Sequence, residues 1–225
     1  DLHSFPTRRS SDLHIAIDPA AAATSVRTFR LGEFSALSLL DGTLSLPNDN
    51  KVFGVGRTPA AVAAVLAGAA LPTDRLELSL QPLLVQTAER VLLFDAGAGA
   101  NMGPGAGKLS ASMETAGVAP ATITDIFISH SHGDHVGGLV NAAGALAYPN
   151  ATIHISAAEW EFLQGMTAEK AAAFGVGQHA ALIAAITPKV APFAPDAEIV
   201  PGVVKAVDIK DRKSTRLNSS HPYRS

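Results

Sequence analysis

The spacing of apolar and polar positions changes several times along the chain, and each change marks an element. Residues 26–31 and 34–40 read as two strands joined by a Gly32-Glu33 turn, with Asp41-Gly42 ending the second. Residues 47–56 read as a loop carrying Phe53. Thr58-Pro59 has the form of an N-cap followed by proline at the first helical position, which predicts a helix over 60–70. Residues 76–87 and 90–94 predict a strand pair that turns near Ala88-Glu89 and ends at Asp95-Ala96-Gly97. Five glycines and a proline fill 97–107, which predicts a mobile loop. It is not a phosphate-binding loop, because Met102 and Leu109 break the G-x-x-x-x-G-K-[ST] pattern.

A helix over 109–116, closed by Gly117, precedes 124–129, whose apolar core Ile126-Phe127-Ile128 reads as a short buried strand. Beyond it the pattern predicts a helix over 136–145, a turn at Pro149-Asn150 and a strand over 151–155. Ser156 and Glu159 form a capping box that opens a helix containing Trp160, Phe162 and Leu163. A long alanine-rich helical region, 168–186, is interrupted near Gly175-Val176-Gly177, and 190–193 and 203–209 close the series as strands. Strands in both halves with helices between them make this an α/β chain.

Composition adjusts this picture modestly. At 225 residues the chain suits one domain, and its 47% apolar and 16% charged content are those of an ordinary globular protein. With no cysteine there is no disulfide framework and no thiolate metal site, so the compartment stays open. The longest apolar stretch, around 60–71, is too short and alanine-rich to span a bilayer.

The two ends read differently from the middle. Residues 1–13 resemble a common short-read sequencing adapter translated in frame, and 211–225 resemble the opposite adapter. Both are expected to be disordered and are set aside from fold reasoning, with 14–25 as a loose leader. Between His14 and Lys210 there are 11 Lys and Arg against 17 Asp and Glu, a net of −6 where the whole chain has −3. An acidic domain without a basic stripe is a poor partner for nucleic acid. The expected partner is a small-molecule substrate, with no membrane and with room for a homodimer.

The chemistry concentrates in Ser129-His130-Ser131-His132-Gly133-Asp134-His135-Val136-Gly137-Gly138. Three imidazoles and a carboxylate within six residues are hard to explain as packing. His130 and His132 lie two apart, so on extended backbone they point the same way and can share one metal. Gly133 lets the chain turn, bringing Asp134 and His135 toward a second ion, while Gly137 and Gly138 allow the next helix to pack close. Imidazole and carboxylate donors without sulfur suit zinc, and also iron, manganese or cobalt.

The pattern H-x-H-x-D-H followed by Gly-Gly at a strand end resembles the signature of the metallo-β-lactamase superfamily of metal-dependent hydrolases. The order of elements over most of 26–209, the Asp95-Ala96-Gly97 turn and the Pro149-Asn150-Ala151 turn are similar to the branch of methyl parathion hydrolase-like phosphotriesterases and quorum-quenching lactonases. That resemblance implies an αββα sandwich, two divalent metal ions with zinc foremost, and a hydroxide bridging them. His130 and His132 would ligate the first ion, Asp134 and His135 the second. Asp134 would also steer the proton of the attacking water, and Asp95 would support the ligands from behind. Phe53, Trp160, Phe162 and Leu163 are candidates to line an apolar substrate pocket, or simply to pack in the core.

The departures matter as much. The family's later Gly-His-x-x-Gly-His segment, bridging Asp and last His have no counterpart: after His135 the histidines are His154, His179 and His221. Asp208 reads as a strand-end residue. Residues 26–210 are therefore expected to be the N-terminal part of the domain, an incomplete sandwich with an open half-site, weak metal binding and little activity. The missing second sheet should leave an apolar sheet edge and face exposed. The leading function is metal-dependent hydrolysis of esters, lactones or phosphotriesters. Two alternatives are a glyoxalase II-like thioester hydrolase and a non-catalytic fragment or metal-binding pseudoenzyme.

Overall fold

The computed structural model describes residues 25–207. The expectations for the adapter-like ends, for most of the leader and for Asp208 and His221 lie outside the described residues.

Its centre is a seven-stranded mixed sheet. In chain order the strands are β1 (Val26–Leu31), β2 (Phe34–Leu39), β3 (Gly42–Pro47), β4 (Arg75–Leu80), β5 (Leu83–Gln86), β6 (Val91–Phe94), β7 (Asp125–Ile128), β8 (Thr152–Ser156) and β9 (Val190–Phe193). Two short strands follow, β10 (Glu198–Val200) and β11 (Val204–Lys205). The main sheet runs β1-β2-β5-β6-β7-β8-β9. It is antiparallel from β1 to β6 and parallel from β6 to β9. The helices are α1 (Pro59–Gly68), α2 (Leu109–Thr115), α3 (Gly133–Val136), α4 (Ala157–Gln164), α5 (Ala168–Ala173) and α6 (His179–Ile186).

The larger core lies on one face of the sheet. Leu37, Leu84, Leu93, Ile126, Ile128, Ile153 and Ile155 meet Met113, Leu139, Leu163, Leu182 and Ile186 from the helical side. The opposite face carries a smaller cluster, where Ala36, Val85, Leu92 and Phe127 are covered by Val200 of β10. On that face Phe94, Phe127 and His154 stack across three neighbouring strands at 4.9 and 4.8 Å. The outer strand β1 leaves Phe29 40% and Leu31 50% exposed. The architecture is thus mixed α/β, one large sheet with helices on one face and a β10–β11 ribbon on the other. Among the described residues no helix is long and apolar enough to cross a membrane.

Three elements differ from the expected pattern. The strand expected over 76–87 is two strands in two sheets: β4 pairs with β3 in a separate ribbon, while β5 joins the main sheet. Pro82 sits at the break, where its missing N–H would interrupt a ladder and its carbonyl instead accepts from Leu39. The helix expected over 136–145 is a single α-turn, α3, then a 3-10 turn at Gly137–Leu139. Past it, the Asn141 side chain accepts from the N–H groups of Ala143 and Ala145, and a Val140–Leu146 bridge closes the loop. Of the strand expected over 203–209, the described part, 203–207, holds the short β11, paired with the unanticipated β10.

Candidate active site

Three loops leave the carboxyl ends of the adjacent parallel strands β6, β7 and β8 and meet at one place, the usual position for a site in a sheet of this kind. The β6 loop brings Asp95, the β7 loop brings Ser129 to His135, and the β8 end leads into α4 with Glu159.

The four motif residues are gathered there, half-buried. His130 Nε2 and His132 Nδ1 share a hydrogen bond of 2.9 Å, and the His130 and His135 rings lie 3.9 Å apart between centroids. His135 Nε2 is 3.4 Å from Asp134 Oδ2. The donors contact one another rather than surrounding a common point: among the described residues no group of three or more His, Asp or Glu is placed to hold a metal ion. Imidazole and carboxylate donors of this kind suit zinc, whose catalytic sites take three protein ligands and an open position.

Asp95 is the hub beneath them. Its backbone adopts φ 60°, a left-handed conformation that aspartate tolerates. Its Oδ1 accepts from the Ser129 N–H at 2.8 Å, and its Oδ2 from the Ser129 hydroxyl at 2.9 Å and from His135 Nδ1 at 2.8 Å. It therefore serves both as a turn residue and as the carboxylate that orients His135, leaving Nε2 to face Asp134. Burial lowers the His135 pKa, but hydrogen bonds to Asp134 and Asp95 outweigh it and raise the group to about 9. At His130 the charges of Asp95 and Asp134 act in the same sense but are outweighed. Burial, and then the charges of His135 and His132, pull it down to about 4. Burial also lowers His132, while the hydrogen bond and charge of His135 hold Asp134 low against its own burial.

Three glycines fit the loop for lack of space rather than for turning. A Cβ on Gly133 would stand 2.0 Å from the Gly175 carbonyl oxygen. The expectation that Gly133 provides a turn is thus replaced by a packing reason. Gly137 and Gly138 behave as anticipated: a Cβ would come within 2.2 Å of the Ala98 oxygen or 2.0 Å of the Ala96 oxygen.

Two supporting residues carry roles that local sequence did not suggest. Ser156 Oγ accepts from the Glu159 N–H, the N-cap bond of the expected capping box. The Glu159 carboxylate, however, accepts at 2.8 Å from the N–H of Ser131, between the two histidines. Asp41, read as a strand-ending turn residue, is fully buried. Its carboxylate accepts from the N–H groups of Ala98 (2.9 Å), Leu109 (3.0 Å) and Gly107 (3.3 Å), tying down the glycine-rich loop. Acidic residues beside a turn are common, so neither had a distinguishing signal.

The aromatic candidates are placed as follows. Leu163 is fully buried in the helical core and has no surface to offer a substrate, and Trp160 packs against that core. Phe162 rests on Phe174 at 5.6 Å, under the Lys170 ammonium, and Phe174 in turn lies 5.0 Å from the His132 ring. Phe53 is half-buried in the loop before α1. His154 is structural: it bonds the buried Asp125 at 2.9 Å, which also accepts from Thr124 and from the exposed Arg90. His179 bonds the Leu163 carbonyl.

Comparison with known proteins agrees with this geometry. The family described as Metallo-beta-lactamase superfamily matches residues 82–215. No curated protein sequence matches the chain. Among solved structures, AidC, a dizinc quorum-quenching lactonase in complex with a product N-hexnoyl-L-homoserine, is 28% identical with TM-score 0.68. The match covers 76% of this chain and 61% of that one. The hydrolase AbOPH, of the beta lactamase superfamily, is 22% identical with TM-score 0.65, over 78% of this chain and 63% of that one. A protein described as a probable metal-dependent hydrolase from Staphylococcus aureus is 22% identical with TM-score 0.59, over 77% and 64%. The two 22% matches speak to fold alone. The chain spans just over six tenths of the length of these structures.

Proposed function

The chain belongs to the metallo-beta-lactamase superfamily, and from that premise we propose that it carries the histidine-bearing half of a hydrolase acting on lactones, related esters or phosphotriesters. The observation that carries this reading is the convergence of His130, His132, Asp134 and His135 at the ends of parallel strands, in a chain 28% identical to a dizinc lactonase. That relative favours lactones over the thioester alternative and supports divalent metal ions as cofactors.

In this reading His130 and His132 serve one ion and Asp134 and His135 another, so two protein donors face each. Further donors must complete both sites before turnover. What this chain's own residues do is position: Asp95 fixes the His135 ring, Glu159 fixes the backbone between His130 and His132, and the close approach of Gly133 to Gly175 sets the loop's depth.

Two measurements test the proposal. The purified chain, dialysed against zinc and then against buffer, should retain less than one ion per chain; two tightly held ions would overturn the half-site reading. A longer form of the gene that supplies further His and Asp donors should hydrolyse an N-acyl homoserine lactone or an aryl ester, and lose that activity with His130→Ala or Asp134→Asn. Turnover of a glutathione thioester alone would instead favour the alternative.

A further inference from the structure

A second cavity lies on the helical side of the sheet, away from the imidazoles. Its volume is about 450 Å³, within the range of small-molecule sites. The walls are mainly apolar: Leu109 and Met113 of α2 on one side, Val140, Leu146, Ala147 and Tyr148 of the closed loop on the other. It opens to solvent beside Ser110 and Asn141, both exposed.

Two polar groups face this space, and they select what can enter. Tyr148 is 6% exposed, and the partner of its hydroxyl is the Met113 thioether at 3.9 Å, a weak acceptor. Among the described residues this buried phenol bonds only to sulfur, which leaves most of its donor strength unused. The other group is Asp41, which also lines the cavity and whose oxygens are occupied by three backbone N–H groups. Its charge disfavours an anion nearby, and among the described residues no Lys, Arg or His lines the cavity to offset it. Burial together with the Asp41 charge pushes the Tyr148 pKa up, so the phenol stays a neutral donor.

We infer that this cavity is a binding site for a small uncharged apolar molecule carrying one hydrogen-bond-accepting oxygen, which takes the Tyr148 hydroxyl. At about 30 Å³ for a water-sized group, the space suits a molecule of up to about fifteen heavy atoms. The site is separate from the histidine cluster but shares a wall with it: Ala96 lines the cavity while its N–H donates to the His135 carbonyl at 2.8 Å. It is independent of any metal.

The probe is 2-octanone, an uncharged chain with one acceptor oxygen, followed by saturation-transfer NMR on the whole chain. Octanoate and 1-chlorohexane serve as comparisons. Expected are submillimolar binding of 2-octanone, at least tenfold weaker binding of octanoate, and loss of signal with Ala147→Trp or Val140→Phe, either of which fills the space. Tyr148→Phe should weaken 2-octanone about fivefold to tenfold and leave 1-chlorohexane unchanged. Circular dichroism confirms folding, and two filling variants guard against failure of one. The inference is overturned if 2-octanone does not bind at 1 mM, if octanoate binds equally well, or if the folded variants bind as the parent does.

Discussion

Asp41→Ala isolates the contact that holds the glycine-rich loop. The carboxylate is fully buried and accepts two good bonds, from Ala98 and Leu109, and one longer bond from Gly107. The Leu109 bond also caps α2 from a distance, since Lys108 at the N-cap makes no side-chain cap bond. Each buried N–H left without a partner costs about 1–3 kcal/mol. The two buried groups, of Ala98 and Leu109, would cost about 2–6 kcal/mol and the part-buried Gly107 N–H less, while removing a buried charge recovers desolvation. The net expectation is a loss of about 3–5 kcal/mol, a large share of a typical domain stability of about 5–15 kcal/mol. Asp41→Asn keeps one acceptor and sets an NH₂ against the remaining donors, for a loss of about 2–3 kcal/mol. In urea unfolding followed at 222 nm, with a slope of about 2 kcal/mol per molar, the Ala midpoint should fall by about 1.5–2.5 M. Ser112→Ala, which removes a single bond to the Leu40 carbonyl nearby, should cost only about 1 kcal/mol. An Asp41→Ala shift below about 0.5 M, or one no larger than that of Ser112→Ala, would refute the reasoning.

Other consequences follow from single contacts. Burial raises the Asp125 pKa, but bonds from His154, Thr124 and Arg90 outweigh it and hold the group below its usual value. Its contribution is therefore complete above the unfolded value of about 3.9 and fades as pH falls through the lower folded value. Stability measured from pH 5 to pH 2 should drop less steeply in Asp125→Asn than in the parent; parallel curves would show that Asp125 is not the group involved. Gly138→Ala, with its Cβ 2.0 Å from the Ala96 oxygen, should cost about 3 kcal/mol or more by overpacking. Gly68→Ala meets nothing within 4 Å at the end of α1 and should gain up to about 1 kcal/mol; thermal melts of the two should move in opposite directions. Glu159→Ala should lose about 1–2 kcal/mol and shift the amide resonances of Ser131 and its neighbours, whereas Glu159→Gln, which keeps an acceptor oxygen, should restore most of both.

Local sequence was a good guide wherever the determining interaction is short in range. Thr58 caps α1 through the Ala61 N–H, and β1, β6 and β9 fall on their apolar runs. Gly117, at φ 68°, closes α2 as its position suggested. The four candidate donors lie within six positions, and the fold brings them together at one strand end, as their spacing suggested. The same reading failed at 76–87 and 136–145. There the outcome depends on which sheet a strand joins, and on an asparagine side chain that outcompetes the helix.

Sequence by itself determined the motif cluster, the α/β class and the family, because each rests on residue identities close together in the chain. Only the tertiary structure decided which distant groups support that set. Asp95 reaches Ser129 and His135 across 34 and 40 residues, Glu159 reaches Ser131 across 28, and Asp41 reaches Leu109 across 68. A carboxylate carries no mark of which backbone N–H it will meet. That choice is made when parallel strands bring the ends of their loops together and exclude water, so that each buried donor must find its partner within the fold.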